Sequence, residues 1–448
     1  MAIQHLISPY IAKLITSSRT LAFRRRVFEL WRRGQNLPHE VTFFYKPGDP
    51  YSHLLLQKLQ QLTTDFDISL HCKVVLNLPK AMLPEPDLLD NYALHDAKLL
   101  AQACNLEFPD NAKQATQAAQ RLVSQTLLAI NNSEQFITIA HQLGEKLWQH
   151  DYQSLETLAE QFAEQYGSLH PFQAEKRLVE NEAMLVKKGH YLSGTLHYGG
   201  EWYWGIDRLH YLIARLCALK LMKRNINMDD YTRPDLQKTT QKKAAHNNAC
   251  PIILDFYFSF RSPYSYLALE RTFSLVKQYP VKINIKPVLP MVMRGLPVPF
   301  AKRTYILSDA KREARFNHIP FGKICDPLGK GVENCLAIYE FAVKENKAQD
   351  YLISVARGIW SEGVNTATEH GLKKLVTRAG LNWDAAKTYL DNERWKTRVE
   401  QNRNDMFEQG LWGVPCFQLG ELSVWGQDRI WVVQNELKAL MEKSSTTV

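Results

Sequence analysis

The sequence predicts an α/β protein made of two copies of one domain: strand–helix–strand, a block of helices, then a hairpin and a closing helix. Three observations predict it. Thr42-Phe-Phe-Tyr-Lys-Pro-Gly-Asp-Pro-Tyr-Ser-His-Leu54 resembles Asp255-Phe-Tyr-Phe-Ser-Phe-Arg-Ser-Pro-Tyr-Ser-Tyr-Leu267 at a constant offset of 213. Late in each half, residues 189–208 match residues 410–429 at a constant offset of 221, with Gly199/Gly420, Trp204/Trp425, Gly205/Gly426, Asp207/Asp428 and Arg208/Arg429 identical. The same succession of apolar patterns lies between the two landmarks. Because the offsets differ by eight, the second copy carries a net insertion of eight residues. A chain of 448 residues is also too long for one ordinary core.

The elements follow in order. Residues 1–38 form a basic arm. Within it, Leu21 to Gly34 spaces Phe23, Val27, Phe28, Leu30 and Trp31 as a helix stripe with arginines between. The first copy, residues 39–223, opens on a β-rich run at Val41–Tyr45, and helical patterns follow at Leu94–Ala103, Glu134–Trp148 and Ser154–Tyr166. Residues 224–250, rich in Lys, Gln, Asn and Thr, read as a linker. The second copy, residues 251–448, opens on Ile252–Phe260. Ser262 is then a natural N-cap, and Pro263 sits at the first helical position, where its missing N–H costs nothing. A second strand follows near Val281–Ile285, residues 300–400 read as helices, and after Gly413-Val-Pro-Cys-Phe417 a hairpin precedes a helix from Asp428. This is a thioredoxin-like α/β fold, twice over, each copy with an inserted helical subdomain.

Composition excludes several classes. A 45% hydrophobic, 23% charged chain is neither disordered nor membrane-spanning, and no apolar run approaches the roughly 18 residues a spanning helix needs. The seven cysteines are scattered without a C-x-x-C pair, which excludes a dithiol redox motif, a zinc ribbon and a disulfide framework. The 14 histidines show no ligand spacing, so no metal is expected. Residues 1–35 hold seven arginines and lysines against Glu29 alone, so most of the +9 net charge is local and no nucleic acid is expected as a partner. The basic helix has two readings. It either contacts an anionic surface through residues 19–33, or packs its stripe on its own domain and leaves the arginines in solvent. Apolar stripes usually face a core, which favours the second. With no apolar block or small-residue cleavage site after the charges, the expected location is cytoplasmic.

Three points of the second copy would converge in such a fold. Ser262 stands at a helix N-terminus, where free N–H groups and the macrodipole favour an anion. Val414-Pro415 precedes a strand beside that helix start, and an X-Pro bond is the common cis candidate. A cis turn there would leave the Val414 N–H and C=O free to grip an extended peptide. Gln427-Asp428 opens the last helix, where a carboxylate could accept from an ammonium group. Such a set suits glutathione, with its thiolate, cysteinyl amide and γ-glutamyl head.

These residues, with Phe256 to Ala268, Lys302-x-x-Tyr305-x-x-x-Asp309-x-x-Arg312, Ile319-Pro320, Gly413-Val-Pro415 and Trp425-Gly-Gln-Asp-Arg429, resemble 2-hydroxychromene-2-carboxylate isomerase. That family is related to kappa-class glutathione transferases and to the DsbA-type thioredoxin fold. The resemblance spans about Cys250 to Leu440, its motifs in the family's order. It implies a glutathione-dependent isomerase of a small aromatic substrate, in which Ser262 supports the glutathione thiolate in the place of the DsbA nucleophilic cysteine. It further implies that Val414, Pro415, Gln427 and Asp428 hold glutathione. Tyr264, Lys302 and Tyr305 are candidates for lining the substrate site. Ser259 and Arg261 depart from the family's pattern, as does the run Leu328 to Asn334, which lacks an arginine before its asparagine.

Serine at that place suits thiol activation. It can donate to a sulfur anion but cannot form a disulfide. A free thiol of pKa about 8.5 is only ~3% ionised at pH 7. Lowering it by about two units takes ~2.7 kcal/mol of differential stabilisation, within reach of one charge-assisted bond and a helix N-terminus. The first copy has Asp49 at the serine's position and Gly194 at the proline's. It reads as a degenerate copy with Asp49 an N-cap, and the duplication permits an intramolecular pseudo-dimer. Cys416 reads as a buried, inert thiol. A kappa-like transferase, a DsbA-family disulfide oxidoreductase and a non-catalytic scaffold are the alternative functions.

Overall fold

The computed structural model describes residues 9, 10, 12–14, 16–237 and 252–446. It divides into two compact units. One comprises Arg25–Pro234 with Pro299–Tyr305, the other Met1–Arg24, Asp235–Val298 and Ile306–Val448.

The first unit holds a four-stranded sheet of β1 (Glu40–Tyr45), β2 (Ser69–Val74), β3 (Thr195–Tyr198) and β4 (Glu201–Trp204), in the order β2-β1-β3-β4. β1 runs parallel to β2 and antiparallel to β3, and β3–β4 is a hairpin. The second unit repeats this with β5 (Ile252–Phe258), β6 (Val281–Pro287), β7 (Cys416–Leu419) and β8 (Leu422–Trp425), in the order β6-β5-β7-β8. Even the registers coincide. Phe43 lies opposite Cys72 on one side and Leu196 on the other. Phe256, 213 residues on, lies opposite Ile285 and Phe417. Those partners are shifted by the same 213 and 221 that relate the two sequence landmarks. Both units are thioredoxin-like, with helices between the second and third strands: Pro86–Cys104 to Pro171–Lys187 in one, Phe300–Phe316 to Arg394–Glu408 in the other.

The cores follow from strand alternation. Val41, Phe43 and Tyr45 alternate inward from β1 and meet Leu54, Leu55 and Leu196. In the second unit Phe256 and Phe417, both buried, stack with ring planes 8° apart. Helix starts are set by side-chain caps. Asp49 caps Pro50–Leu56, Asn132 caps Ser133–Gln149, Asp151 caps Tyr152–Tyr166 and Ser262 caps Pro263–Val276.

Three features differ from expectation. The basic segment is a helix, Ser18–Gly34, but of its apolar stripe only Phe28 packs on the core, while Phe23, Val27, Leu30 and Trp31 are exposed. The charged side docks instead, through Arg25 to Glu201, and Tyr198 donates to Glu29. Part of the expected linker is also packed, for Tyr231 is buried and its hydroxyl donates to Asp65 at 2.6 Å, an acceptor shared with Arg224. Residues 238–250 of that linker lie outside the described residues. Finally, residues 299–305, which open the helix Phe300–Phe316, group with the first unit rather than with the copy that their sequence belongs to.

Candidate active site

The Pro263–Val276 helix begins where Ser262 leaves β-type backbone (φ −100°, ψ 116°), and the Ser262 hydroxyl accepts from the Ser265 N–H at 3.1 Å. The same hydroxyl donates to the Val414 carbonyl at 3.1 Å. Val414–Pro415 is a cis peptide. The helix tip and the proline turn, 152 residues apart in sequence, therefore touch. The turn is tied into the hairpin because the Gly426 N–H donates to the Pro415 carbonyl at 2.8 Å, which places Gln427 and Asp428 directly after the residue paired with the turn.

Two donors meet here at a half-buried surface. One is the Ser262 hydroxyl. The other is the Val414 N–H, which has no hydrogen-bond partner among the described residues. With the N-terminus of a 14-residue helix beside them, the set favours a negatively charged atom. The Val414 carbonyl, expected to be free, instead accepts from Ser262. A peptide pairing with Val414 through both its groups would have to displace that hydroxyl.

The neighbours are mostly committed elsewhere. Arg261 grips Asp326 through two bonds of 2.7 and 2.8 Å, so its charge is compensated at the surface. Ser259 is buried with its hydroxyl unpartnered among the described residues, just after β5 and before the site. Gln427 is turned inward. Its side-chain oxygen accepts from Arg271 at 2.5 Å, and its amide donates to Glu313 at 2.9 Å and to Asp428. It holds Asp428 in place rather than offering a free amide, and Asp428, half-buried, is the member of the pair with access to solvent.

The three candidate substrate residues divide between the two units. Tyr264 donates to the buried Asp309 at 2.9 Å. Lys302 and Tyr305 lie with the first unit. The Lys302 ammonium donates to the Met82 carbonyl at 2.7 Å and sits 5.5 Å from the Tyr191 ring centre, and burial pulls its pKa down to about 8. Tyr305 packs edge-on to His190 with 4.4 Å between ring centres.

Cys416 follows the turn but faces the core. It is fully buried, its thiol donates to the Gly413 carbonyl, and burial pushes its pKa well above the ordinary thiol value. Iodoacetamide at pH 8 should leave Cys416 unmodified in the native protein, read by peptide mass spectrometry, and carbamidomethylate it only after denaturation. Native alkylation would contradict the burial.

The first unit shows the same frame without the site. The Gly205 N–H donates to the Gly194 carbonyl at 2.8 Å, as Gly426 does to Pro415, so Gly194 occupies the proline's place. Gly194 has φ +63°, and a Cβ there would come within 2.8 Å of the Ser52 nitrogen. The chain thus closes onto the helix tip. Asp49 caps that helix, accepting from the Tyr51 and Ser52 N–H groups at 3.2 Å and from the Ser52 and Ser193 hydroxyls at 2.6 and 2.7 Å. An internal carboxylate fills the place for an anion.

One pair escaped the sequence reading. Tyr51 donates to Asp96 in the first unit as Tyr264 does to Asp309 in the second, both at 2.9 Å and both exactly 213 residues apart from their twins. The signal was present: Pro86, Tyr92, Leu94, Asp96, Ala97, Lys98 and Ala101 recur as Pro299, Tyr305, Leu307, Asp309, Ala310, Lys311 and Ala314. This third block keeps the first offset, so the extra eight residues enter after Ala314.

Residues 253–438 match the model of the DSBA-like thioredoxin domain. The chain is 29% identical over 208 residues to the 2-hydroxychromene-2-carboxylate isomerase of Pseudomonas putida, covering 43% of this chain and 98% of that protein. It is 30% identical over 198 residues to the enzyme of the same name from Pseudomonas sp. strain C18, covering 41% of this chain and 89% of that protein. Among solved structures, a 2-hydroxychromene-2-carboxylate isomerase is similar at 24% identity and a TM-score of 0.39, covering 44% of this chain and 100% of the other. With most of a 30%-identical relative covered, the chain belongs to the 2-hydroxychromene-2-carboxylate isomerase family.

Proposed function

We propose that the second unit is a glutathione-dependent isomerase of a small aromatic molecule, acting in the cytoplasm, and that the first unit is a degenerate duplicate without the chemistry. The observation that carries this reading is the Ser262 hydroxyl, 3.1 Å from the Val414 carbonyl at the tip of a 14-residue helix. The residues fit glutathione: a hydroxyl and a helix N-terminus suit its sulfur anion, the unpartnered Val414 N–H suits its peptide carbonyl, and Asp428 suits its amino group. When bound, glutathione supplies a sulfur nucleophile that adds to a conjugated carbon and is later expelled, leaving the electron count unchanged.

The protein's part is to hold that sulfur ionised. Ser262 turns its O–H from the Val414 carbonyl toward the anion, and the exchange releases the carbonyl to accept from the peptide N–H of the ligand. The helix N–H groups add their partial positive charge. A hydroxyl cannot enter disulfide exchange, so the site keeps the sulfur available for addition.

Glutathione-agarose should retain the full chain. Titration of bound glutathione by thiolate absorbance should place its pKa about two units below that of the free thiol, and Ser262→Ala should move it back up by most of that interval. A chain that is not retained, or an unchanged midpoint in the alanine variant, removes this reading.

A further inference from the structure

The Ser18–Gly34 helix presents its apolar side outward. Arg25 meets Glu201 through two bonds of 2.8 Å, Glu29 accepts from Arg32 and Tyr198 at 3.0 Å each, and Phe28 packs edge-on to Tyr198. On the opposite side Phe23 is 67% exposed, Val27 48%, Leu30 64% and Trp31 55%. At about 100° per residue these four share an arc of roughly 100°. Arg19, Arg26 and Arg33 line one border of that arc and Arg24 the other. All four arginines are exposed, and their side chains make no ion pair or hydrogen bond among the described residues. Glu29 is the helix's one carboxylate and it faces inward, so the outward half bears only positive charge.

We infer that this helix is a docking surface for a bilayer containing anionic lipids, with Phe23, Leu30 and Trp31 entering the headgroup–acyl boundary and the four arginines meeting lipid phosphates. The apolar stripe between the arginines sets this surface apart from a nucleic-acid site, which would use the charge and leave four large apolar side chains in water. A partner helix of ordinary composition would be met by charges of both signs, whereas an anionic leaflet is complementary to one sign throughout. No helix among the described residues is long and apolar enough to cross a membrane, so the contact lies in the interface plane.

The test is flotation of the full chain with vesicles of phosphatidylcholine alone or with one-third phosphatidylserine. Binding should require the acidic lipid and fall severalfold between about 0.1 and 0.5 M salt. Arg26→Gln and Arg33→Gln should each weaken it about fivefold. The double change Leu30→Asp/Trp31→Asp should weaken it tenfold or more, with an unchanged circular dichroism spectrum certifying the fold. Three results overturn the inference. The chain fails to float with acidic vesicles; or it binds them equally with Leu30→Asp/Trp31→Asp, which together with RNA retention would mark a general polyanion site; or the double change abolishes self-association while vesicles bind neither form.

Discussion

Ser262→Asp is expected to abolish glutathione retention while leaving the fold of the second unit intact. The first unit is the precedent, since Asp49 caps its helix and takes two backbone N–H groups and two hydroxyls. An aspartate at 262 finds the same cap position, with the Ser265 N–H within reach of the present side chain and the Ser265 hydroxyl where Ser52 stands in the first copy. Asp and Ser are comparable N-caps, but the carboxylate cannot donate to the Val414 carbonyl and finds a valine where the first unit has Ser193, so stability should fall by about 1–3 kcal/mol with the fold kept. Binding should respond as well. Two negative charges about 4 Å apart repel by about 4 kcal/mol at an effective dielectric near 20. Affinity for ionised glutathione should therefore fall at least a hundredfold by calorimetry. Ser262→Ala removes a donor without adding a charge and should bind more tightly than the aspartate variant. Near-wild-type affinity in Ser262→Asp would mean that the sulfur does not lie against the helix tip.

How far the sequence predicts this molecule depends on whether the determinant is local. Ser262-Pro263 and Asp49-Pro50 are readable because a cap and a proline at the first helical position act on adjacent residues. The strand registers are readable through the duplication, because the two offsets of 213 and 221 carry every pair from one sheet to the other. The direction of the Ser18–Gly34 helix is not. A stripe at helical spacing gives a face but not the side that docks, and here the docking is decided by Arg25 finding Glu201, 176 residues away. Lys302 and Tyr305 show the same dependence on distant partners. They occur in the second copy's sequence, yet burial among Tyr191, Trp202 and Phe44 groups Tyr305 with the first unit's core. The bond from the Ser262 hydroxyl to the Val414 carbonyl joins residues 152 apart and has no local signal. A free hydroxyl and a free carbonyl in contact satisfy each other until a ligand competes.

Tyr264→Phe is expected to lower stability and leave glutathione affinity unchanged, and its twin Tyr51→Phe supplies the reference. The hydroxyl of each tyrosine donates to a carboxylate that is almost fully buried, Asp309 or Asp96, at the same 2.9 Å. A hydrogen bond to a buried charge is worth about 1.5–3 kcal/mol, and the phenylalanine leaves the carboxylate one donor poorer in a site from which water is excluded. Both variants should therefore lower the denaturation free energy by about that amount. The first unit has this bond and lacks the serine, so the bond belongs to the fold. It fastens the helix that follows the site to the first inserted helix, Phe300–Phe316 or Pro86–Cys104. Glutathione titration of Tyr264→Phe should accordingly match the wild type. A tenfold loss of affinity with unaltered stability would instead place the Tyr264 hydroxyl on the ligand, and Tyr51→Phe, which has no ligand to lose, would then separate from it.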